Sequence, residues 1–133
     1  MKNLLNEVAR KFDNGVVIVN TTPHPITIQN IDGELVSVPT SVLLNANAES
    51  VDVGEFFCKT EFSKTNEGLE LIAGIKSWFA ETYTDGETLV ILGSMIAAQA
   101  YKGEVFGMVP VPGFERVAPS EKRMRCDKFT TFA

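Results

Sequence analysis

A group of arginines near the end of the chain has the clearest chemical potential in the sequence. Residues 123–132 have the composition of a β-strand, and alternate residues of a strand share one face. We therefore predict that Arg123, Arg125 and Asp127 project together, with Phe129 continuing that face. Two guanidinium groups about 7 Å apart suit the two phosphates of a pyrophosphate, because each planar fork grips a pair of phosphate oxygens. The alternative is a solvated edge strand whose charges prevent aggregation.

The charge of the chain is unevenly distributed, although its net value is −5. Residues 1–112 contain 7 Lys or Arg and 14 Asp or Glu, a balance of −7, whereas residues 113–133 contain 5 and 3, a balance of +2. An acidic body argues against binding of a nucleic-acid polymer, since a long phosphate backbone requires a broad basic face. A local basic cluster suits a small anionic ligand. The alternative is that the basic segment pairs with the acidic body.

Aromatic and helix-terminal residues supply further candidates for a ligand site. Phe79, Phe114 and Phe129 are each able to stack on a base. Gly93 and Ser94 stand between an apolar strand and a short helix, the context in which a helix N-terminus binds an anion. The sequence contains no phosphate-loop motif, so a plain helix cap is the simpler role for Ser94.

Residues for catalysis or metal binding are sparse. His24 is the only histidine, and no serine or cysteine nucleophile forms a recognisable motif with it. Its position between prolines favours a shaped turn over a general base. Cys58 and Cys126 match no metal-ligand spacing, and we expect both thiols to be reduced. We therefore predict a binding protein without a cofactor, not an enzyme.

The elements that must position these residues form one predicted domain, residues 1–133, of the α+β class. We predict an antiparallel sheet or barrel-like core of about six strands with two or three helices. The clearest helix is predicted at 67–83, where apolar residues recur at helical spacing. Asp32-Gly33 is a strong hairpin signal. The other predictions are helices at 3–12 and 95–101, strands at 16–20, 26–31, 34–38, 41–44, 89–92, 105–111 and 123–132, an irregular segment at 45–53, and an edge strand packed on the core within 55–62.

The overall composition is that of a folded globular chain. Hydrophobic residues make up 44% and charged residues 22% of the sequence, which is not the balance of a disordered protein. No apolar run approaches the ~20 residues of a membrane-spanning helix. The first residues are amphipathic and charged, unlike a secretion signal, so we expect a cytoplasmic protein that does not bind membranes.

Several stretches of the sequence resemble a family of small bacteriophage proteins. They read V-V-I-V-N-T-T-P-H-P-I-T-I (16–28), L-V-I-L-G-S-M-I-A-A-Q-A (89–100), G-M-V-P-V-P-G-F-E-R (107–116) and R-M-R-C-D-K-F-T-T-F (123–132). The N-x-T-P-H strand and turn mark the wider phage family. The ending is similar to the first-described type of Thoeris anti-defence protein. The resemblance covers most of residues 16–38 and 88–132, and the segment 41–65 contributes nothing to it.

The resemblance implies a phage-encoded sponge that acts in the cytoplasm of the infected bacterial host. Such proteins sequester cyclic ADP-ribose isomers, the signals made by the host's Thoeris TIR enzyme, without cleaving them, and some also take up cyclic oligonucleotide signals. They are β-rich and assemble as homodimers or larger oligomers, and helix 67–83 is then expected at a homodimer interface. The ligand contacts of the family lie at a subunit interface, and the matching positions here are Phe79, Arg116, Arg123 and Arg125, with Ser94 and Gln99 as further candidates.

Two other functional classes stay open on the sequence alone. One is a small hydrolase of nucleotide signals that uses His24 and a carboxylate. The other is a phage structural or partner-binding protein with no small ligand. The isomer of the signal and the size of the oligomer also stay open.

Overall fold

A nearly closed, barrel-like sheet forms the centre of the protein in a computed structural model that describes all residues, 1–133. In chain order the elements are α1 (Lys2–Val8), β1 (Arg10–Lys11), β2 (Val16–Asn20), β3 (Ile26–Gln29), β4 (Leu35–Val38), β5 (Asn47–Asp52), β6 (Cys58–Ser63), α2 (Asn66–Thr82), β7 (Thr88–Leu92), α3 (Met95–Ala100), β8 (Val105–Pro110) and β9 (Met124–Thr130), with a 3-10 turn at Pro119–Glu121. Seven strands form the sheet in the order β1-β2-β7-β8-β9-β3-β4, while β5 and β6 pair separately. The predicted α+β, barrel-like fold is confirmed.

The sheet is mixed, whereas the prediction was for an antiparallel one. The pairs β2–β7, β7–β8 and β3–β9 are parallel. The reason is that β2 and β7 are apolar along almost their whole length and largely buried, which is typical of strands in a parallel array covered on both faces. The β3–β4 hairpin is antiparallel, as the Asp32-Gly33 signal predicts, and Gly33 adopts φ +89° at the turn.

Alternate residues of the central strands enter two separate cores. Val17 and Ile91 belong to an outer core, which α2 and α3 cover. Ile18 and Leu92 belong to an inner core within the barrel. Because neighbouring residues of β2 are buried on opposite faces, the strand is apolar on both faces until it reaches Asn20.

A polar turn after β2 closes the barrel toward β4. The fully buried Asn20 donates from its side-chain amide to the carbonyls of His24 at 2.8 Å and Val38 at 3.0 Å. Its Oδ1 accepts from both the backbone N–H and the hydroxyl of Thr22. Asn20 also forms an isolated parallel bridge with Thr40. Asn20 therefore links β2 to β4, while Thr22 and the carbonyl of His24 hold its side chain in place.

Helix α2 covers the outer core and begins and ends within one residue of its predicted bounds. Ile72, Ile75 and Trp78 are buried, so its apolar stripe is used inside the chain. The indole of Trp78 donates to Asn6 Oδ1 at 2.8 Å and thereby attaches α1 to α2. None of the helices combines the length and the hydrophobicity that a membrane-spanning segment requires.

Two predictions in the first part of the chain are wrong. The predicted helix at 3–12 ends at Val8, because Arg10 and Lys11 pair with β2 and carry the next residue, Phe12, into the inner core. The segment 41–44, predicted as a strand, contains none.

Strands β5 and β6 form a hairpin that stands apart from the barrel, and we call residues 47–63 the arm. The prediction of an irregular segment at 45–53 is wrong, since β5 lies there. A strand within 55–62 is present as β6, but it pairs only with β5, and Phe56 and Phe57 are exposed instead of packed on the core. The two strands pair in register along their whole length, which satisfies their backbone without a core. Only Phe62 of the arm packs against the outer core.

The arm is fixed at its base by the buried Tyr101. The Tyr101 hydroxyl donates to the carbonyl of Asn45 at 2.6 Å and accepts from the N–H of Thr65 at 3.1 Å. Asn45 precedes the arm, and Thr65 follows it as the N-cap of α2, accepting from Gly68 N–H at 2.9 Å. One side chain therefore holds both ends of the arm.

Candidate functional site

Arg125 is the second residue of β9, whereas Arg123, predicted to lie in the strand, immediately precedes it. The register of β9 with β8 is interrupted by a bulge. Met108 pairs with Phe129 and Pro110 with Met124, so that a single intervening residue of β8 faces four of β9. Extra residues in a bulge reset the alternation of faces along a strand. The prediction that Phe129 shares a face with the arginines is therefore wrong, since Phe129 packs against the inner core, as Cys126 does.

Arg123 is a half-buried cation without a carboxylate partner. Its Cζ lies 4.1 Å from the centre of the Phe114 ring, a cation–π contact. Its Nη1 donates to Gln29 Oε1 at 3.4 Å, and its buried Nε has no hydrogen-bond partner. Buried arginine nitrogens are normally paired, so this guanidinium is a candidate for binding an anion.

Arg125 is paired within its own strand. Its Nε and Nη2 donate to the two carboxylate oxygens of Asp127 at 2.7 and 3.0 Å. These hydrogen bonds lower the pKa of Asp127 and raise the pKa of Arg125. The two side chains share a face, as predicted, but Asp127 occupies the guanidinium fork that a phosphate would otherwise use.

A cleft of about 260 Å³ opens beside these residues, and we call it the arginine cleft. Strands β3 and β9 run parallel here, with Gln29 opposite Arg125 in the register. Gln29 lines the cleft and also accepts the hydrogen bond from Arg123, which is not itself a lining residue. The lining consists of Gln29, Asn30, Ile31, Val111, Pro112, Arg125, Cys126 and Asp127. The cleft therefore combines amide and apolar groups with one cation, Arg125, and the Asp127 carboxylate that pairs with it, a mixture of apolar and placed polar groups typical of small-molecule sites.

The aromatic and third arginine candidates lie elsewhere in the chain. Arg116 is exposed on the loop after β8, two residues beyond Phe114, and no hydrogen bond or ion pair involves its side chain. Phe79 stacks on Tyr83 with ring centres 5.6 Å apart. Phe79 lines a different cleft, together with Lys76, and shares no lining residue with the arginine cleft.

The two candidates on α3 are separate from both groups. Ser94 is the N-cap of α3, and its Oγ accepts from Ala97 N–H at 3.1 Å, the plain capping role. Gln99 is exposed and lines a cleft at the base of the arm with Phe62 and Phe132. Within one chain, the structure thus brings together Arg123 and Arg125 but not the other four candidates.

The side chains considered for reactive chemistry are dispersed. His24 is exposed and contributes its backbone carbonyl to the turn after β2. Both cysteines are free: Cys58 is exposed on the arm, and Cys126 is buried. Burial raises the pKa of the Cys126 thiol. Nowhere do three His, Cys, Asp or Glu side chains come close enough together to hold a metal ion.

Sequence reasoning missed Gln29 and Asn30 as residues of the cleft. They reach the arginines only because β3 pairs with β9, and Gln29 and Arg123 are 94 residues apart in sequence. Their one local signal is a pair of amides at the end of an alternating strand, just before the Asp32-Gly33 turn. That pattern does not reveal which strand lies alongside.

Comparisons of the chain with protein-family models, with curated proteins and with solved structures gave no match. The functional conclusion therefore depends on the geometry of the arginine cleft and on the residues that surround it.

Proposed function

We propose that the protein captures an anionic nucleotide, a cyclic ADP-ribose-type signal, at the arginine cleft without cleaving it. Arg123 carries this proposal, because it is a half-buried guanidinium with an unpaired Nε and no carboxylate partner. An anionic ligand would pair with the outer nitrogens of this guanidinium, which no carboxylate neutralises. Arg125 would contribute the nitrogen that Asp127 leaves free, and the amides of Gln29 and Asn30 would bind polar ligand groups.

The resemblance to Thoeris anti-defence proteins is the reason for choosing this signal over other nucleotides. It suggests a phage protein that acts in the cytoplasm of the infected bacterial host and that, like some members of the family, also takes up cyclic oligonucleotides. The N-x-T-P-H motif marks the wider phage family and not the sponge in particular, so it supports a phage origin more than it supports this activity.

A second copy of the chain would complete the site. The arginine cleft measures about 260 Å³, and pockets that enclose drug-sized ligands run from roughly 300 to 1,000 Å³. A ligand with two phosphates, two riboses and a base therefore protrudes from one chain. A homodimer or larger oligomer would cover it and could bring Phe79 or Arg116 of another copy to the ligand.

The test is native mass spectrometry of the protein with cyclic ADP-ribose isomers, followed by heat release and analysis of the ligand. We expect stoichiometric binding and recovery of the intact ligand. Arg123→Ala should lower the affinity about 10- to 100-fold, the loss of a hydrogen bond to a charged group. Arg10→Ala serves as the matched control, because Arg10 only bonds backbone carbonyls near α1.

Each outcome assigns a class. Unchanged affinity in Arg123→Ala would refute the cleft as the site, and no binding to wild-type protein would refute capture of this signal. Recovery of a cleaved ligand would establish a hydrolase, and His24→Ala would then show whether the only histidine takes part.

A partner-binding protein is the second candidate, and the tip of the arm favours it. Phe56 and Phe57 are 83% and 71% exposed, and Val51 and Val53 are each 63% exposed. Contiguous apolar side chains at this level of exposure are typical of surfaces that bind another protein. This candidate predicts that changes at the tip abolish function while Arg123→Ala does not.

A further inference from the structure

The barrel wall has a gap beside the first half of β7. Strand β8 pairs with β7 only through Ile91–Val105 and Leu92–Phe106. Residues Thr88, Leu89 and Val90 therefore have no strand partner on the β8 side, although β2 pairs with them on the other side. The backbone N–H and C=O groups that point to that side therefore have no partner on β8.

The bulge in β9 borders the same gap. Residues 125–128 of β9 have no partner on β8, since Phe129 pairs with Met108 and the next pair joins Met124 to Pro110. A cleft of about 420 Å³ occupies the gap, and we call it the wall cleft. It lies between Thr88 of β7 and Asp127 and Lys128 of β9.

The floor of the wall cleft is apolar and aromatic, whereas its rim is polar. Val90, Phe106 and Phe129 form the floor, and all three belong to or pack against the inner core. Lys128 at the rim is exposed and has no ion-pair partner. The volume falls within the roughly 300–1,000 Å³ typical of small-molecule sites.

We propose that the wall cleft binds a planar heteroaromatic ring, the base of the nucleotide whose phosphates occupy the arginine cleft. Flat rings stack on aromatic side chains such as Phe106 and Phe129, and the open backbone of β7 offers donors and acceptors to the edge of a heterocycle. Asp127 lines both clefts, so the two sites adjoin.

This inference rests on the proposed function for the identity of the ligand, and two partial ligands separate the two claims. Adenosine carries the base without phosphate, and inorganic pyrophosphate carries the phosphates without the base. Thr88→Trp places an indole in the wall cleft, and the exposed Thr131→Trp blocks it from the other rim. Circular dichroism melting verifies that each variant folds.

Ligand-observed NMR then measures both partial ligands. We expect saturation transfer to adenosine in wild-type protein and in Arg123→Ala, and its loss in both tryptophan variants. Pyrophosphate should bind the wild type and the tryptophan variants but not Arg123→Ala. The affinity for cyclic ADP-ribose should fall about tenfold in Thr88→Trp, the scale of one stacked base.

The outcomes distinguish failure of either claim. Absence of adenosine binding to wild type, or its persistence in both tryptophan variants, would overturn the wall cleft and leave the arginine cleft standing. Adenosine binding that the tryptophan variants abolish, without any pyrophosphate binding, would establish the base site and refute the phosphate site.

Discussion

The side-chain amide of Asn20 donates to the carbonyl of Val38 at 3.0 Å and joins β2 directly to the β3–β4 hairpin. Strands β2 and β4 lie far apart in the order of the sheet, because β7, β8, β9 and β3 stand between them. Together with the bridge between Asn20 and Thr40, this contact nearly closes the sheet into a barrel. The backbone of Asn20 contributes too, since its carbonyl accepts from both the N–H and the hydroxyl of Ser41.

We predict that Asn20→Ala lowers the free energy of unfolding by about 3 kcal/mol, because it leaves the carbonyl of Val38 and the N–H of Thr22 buried without partners. His24→Ala is the matched control. Only the backbone carbonyl of His24 is used, so its change should stay within about 0.5 kcal/mol. Urea unfolding of both variants measures the difference, and equal values would show that the motif does not close the barrel through Asn20.

Two glycines of α2 should respond in opposite directions to alanine. A Cβ at Gly68 would lie 1.8 Å from the hydroxyl of the buried Tyr101, so Gly68→Ala should destabilise the fold by about 1–3 kcal/mol as overpacking. A Cβ at Gly74 would meet only the flexible end of Met1, so Gly74→Ala should be neutral or stabilise by up to about 1 kcal/mol through helix propensity. Thermal melting compares the two, and a stabilising Gly68→Ala would contradict the packing.

The Arg125–Asp127 pair should make stability depend on pH at the acid end. The Arg125 guanidinium lowers the pKa of Asp127, so the pair stabilises the folded state above the unfolded pKa of about 3.9, and this contribution disappears as the pH falls through the lower folded value. We expect the stability difference between wild type and Asp127→Asn to be constant well above the unfolded pKa of about 3.9 and to shrink as the pH falls below it. A difference that is independent of pH would mean that the pair adds no stability.

The two cysteines should differ in reactivity. Cys58 is exposed, whereas Cys126 is 2% exposed and its burial raises the pKa of the thiol, which keeps it protonated and unreactive. A maleimide at neutral pH should add one label to native protein and a second only in denaturant. Intact-mass spectrometry reads the count, and rapid double labelling of native protein would indicate that β9 opens readily.

Self-association should depend on the tip of the arm more than on the outer face of α2. Replacing Phe56 and Phe57 by Ser removes the most exposed aromatic surface, whereas Leu69→Ser changes the exposed apolar residue of α2. We expect light scattering to give a lower molar mass for the arm variant than for the wild type, and an unchanged molar mass for Leu69→Ser. The apolar stripe of α2 is already buried within the chain, which is why we expect the arm to matter more. A smaller species for Leu69→Ser and an unchanged mass for the arm variant would instead support the predicted interface at α2.

The parts of the fold that could be predicted are those with a strong local pattern. The apolar runs of β2 and β7 and the apolar stripe of α2 follow from the burial of these elements, so their predicted bounds agree closely with the observed ones. The arm has no such pattern, because strands that pair only with each other do not need an apolar face. In the site, Arg123 was predictable from charge and strand composition. Its contacts with Gln29 and Phe114 were not, since they depend on strand pairing and loop position.

The hydroxyl of Tyr101 has a consequence for how the chain can be rearranged. Asn45 and Thr65 each bond to this single oxygen, so the backbone enters and leaves the arm at almost the same place on the barrel. A segment whose ends meet in this way is a natural site for excision or exchange, because a short turn can bridge the cut without moving the rest of the chain. We therefore expect that a short loop of another sequence can replace the arm while the barrel and its two clefts keep their fold.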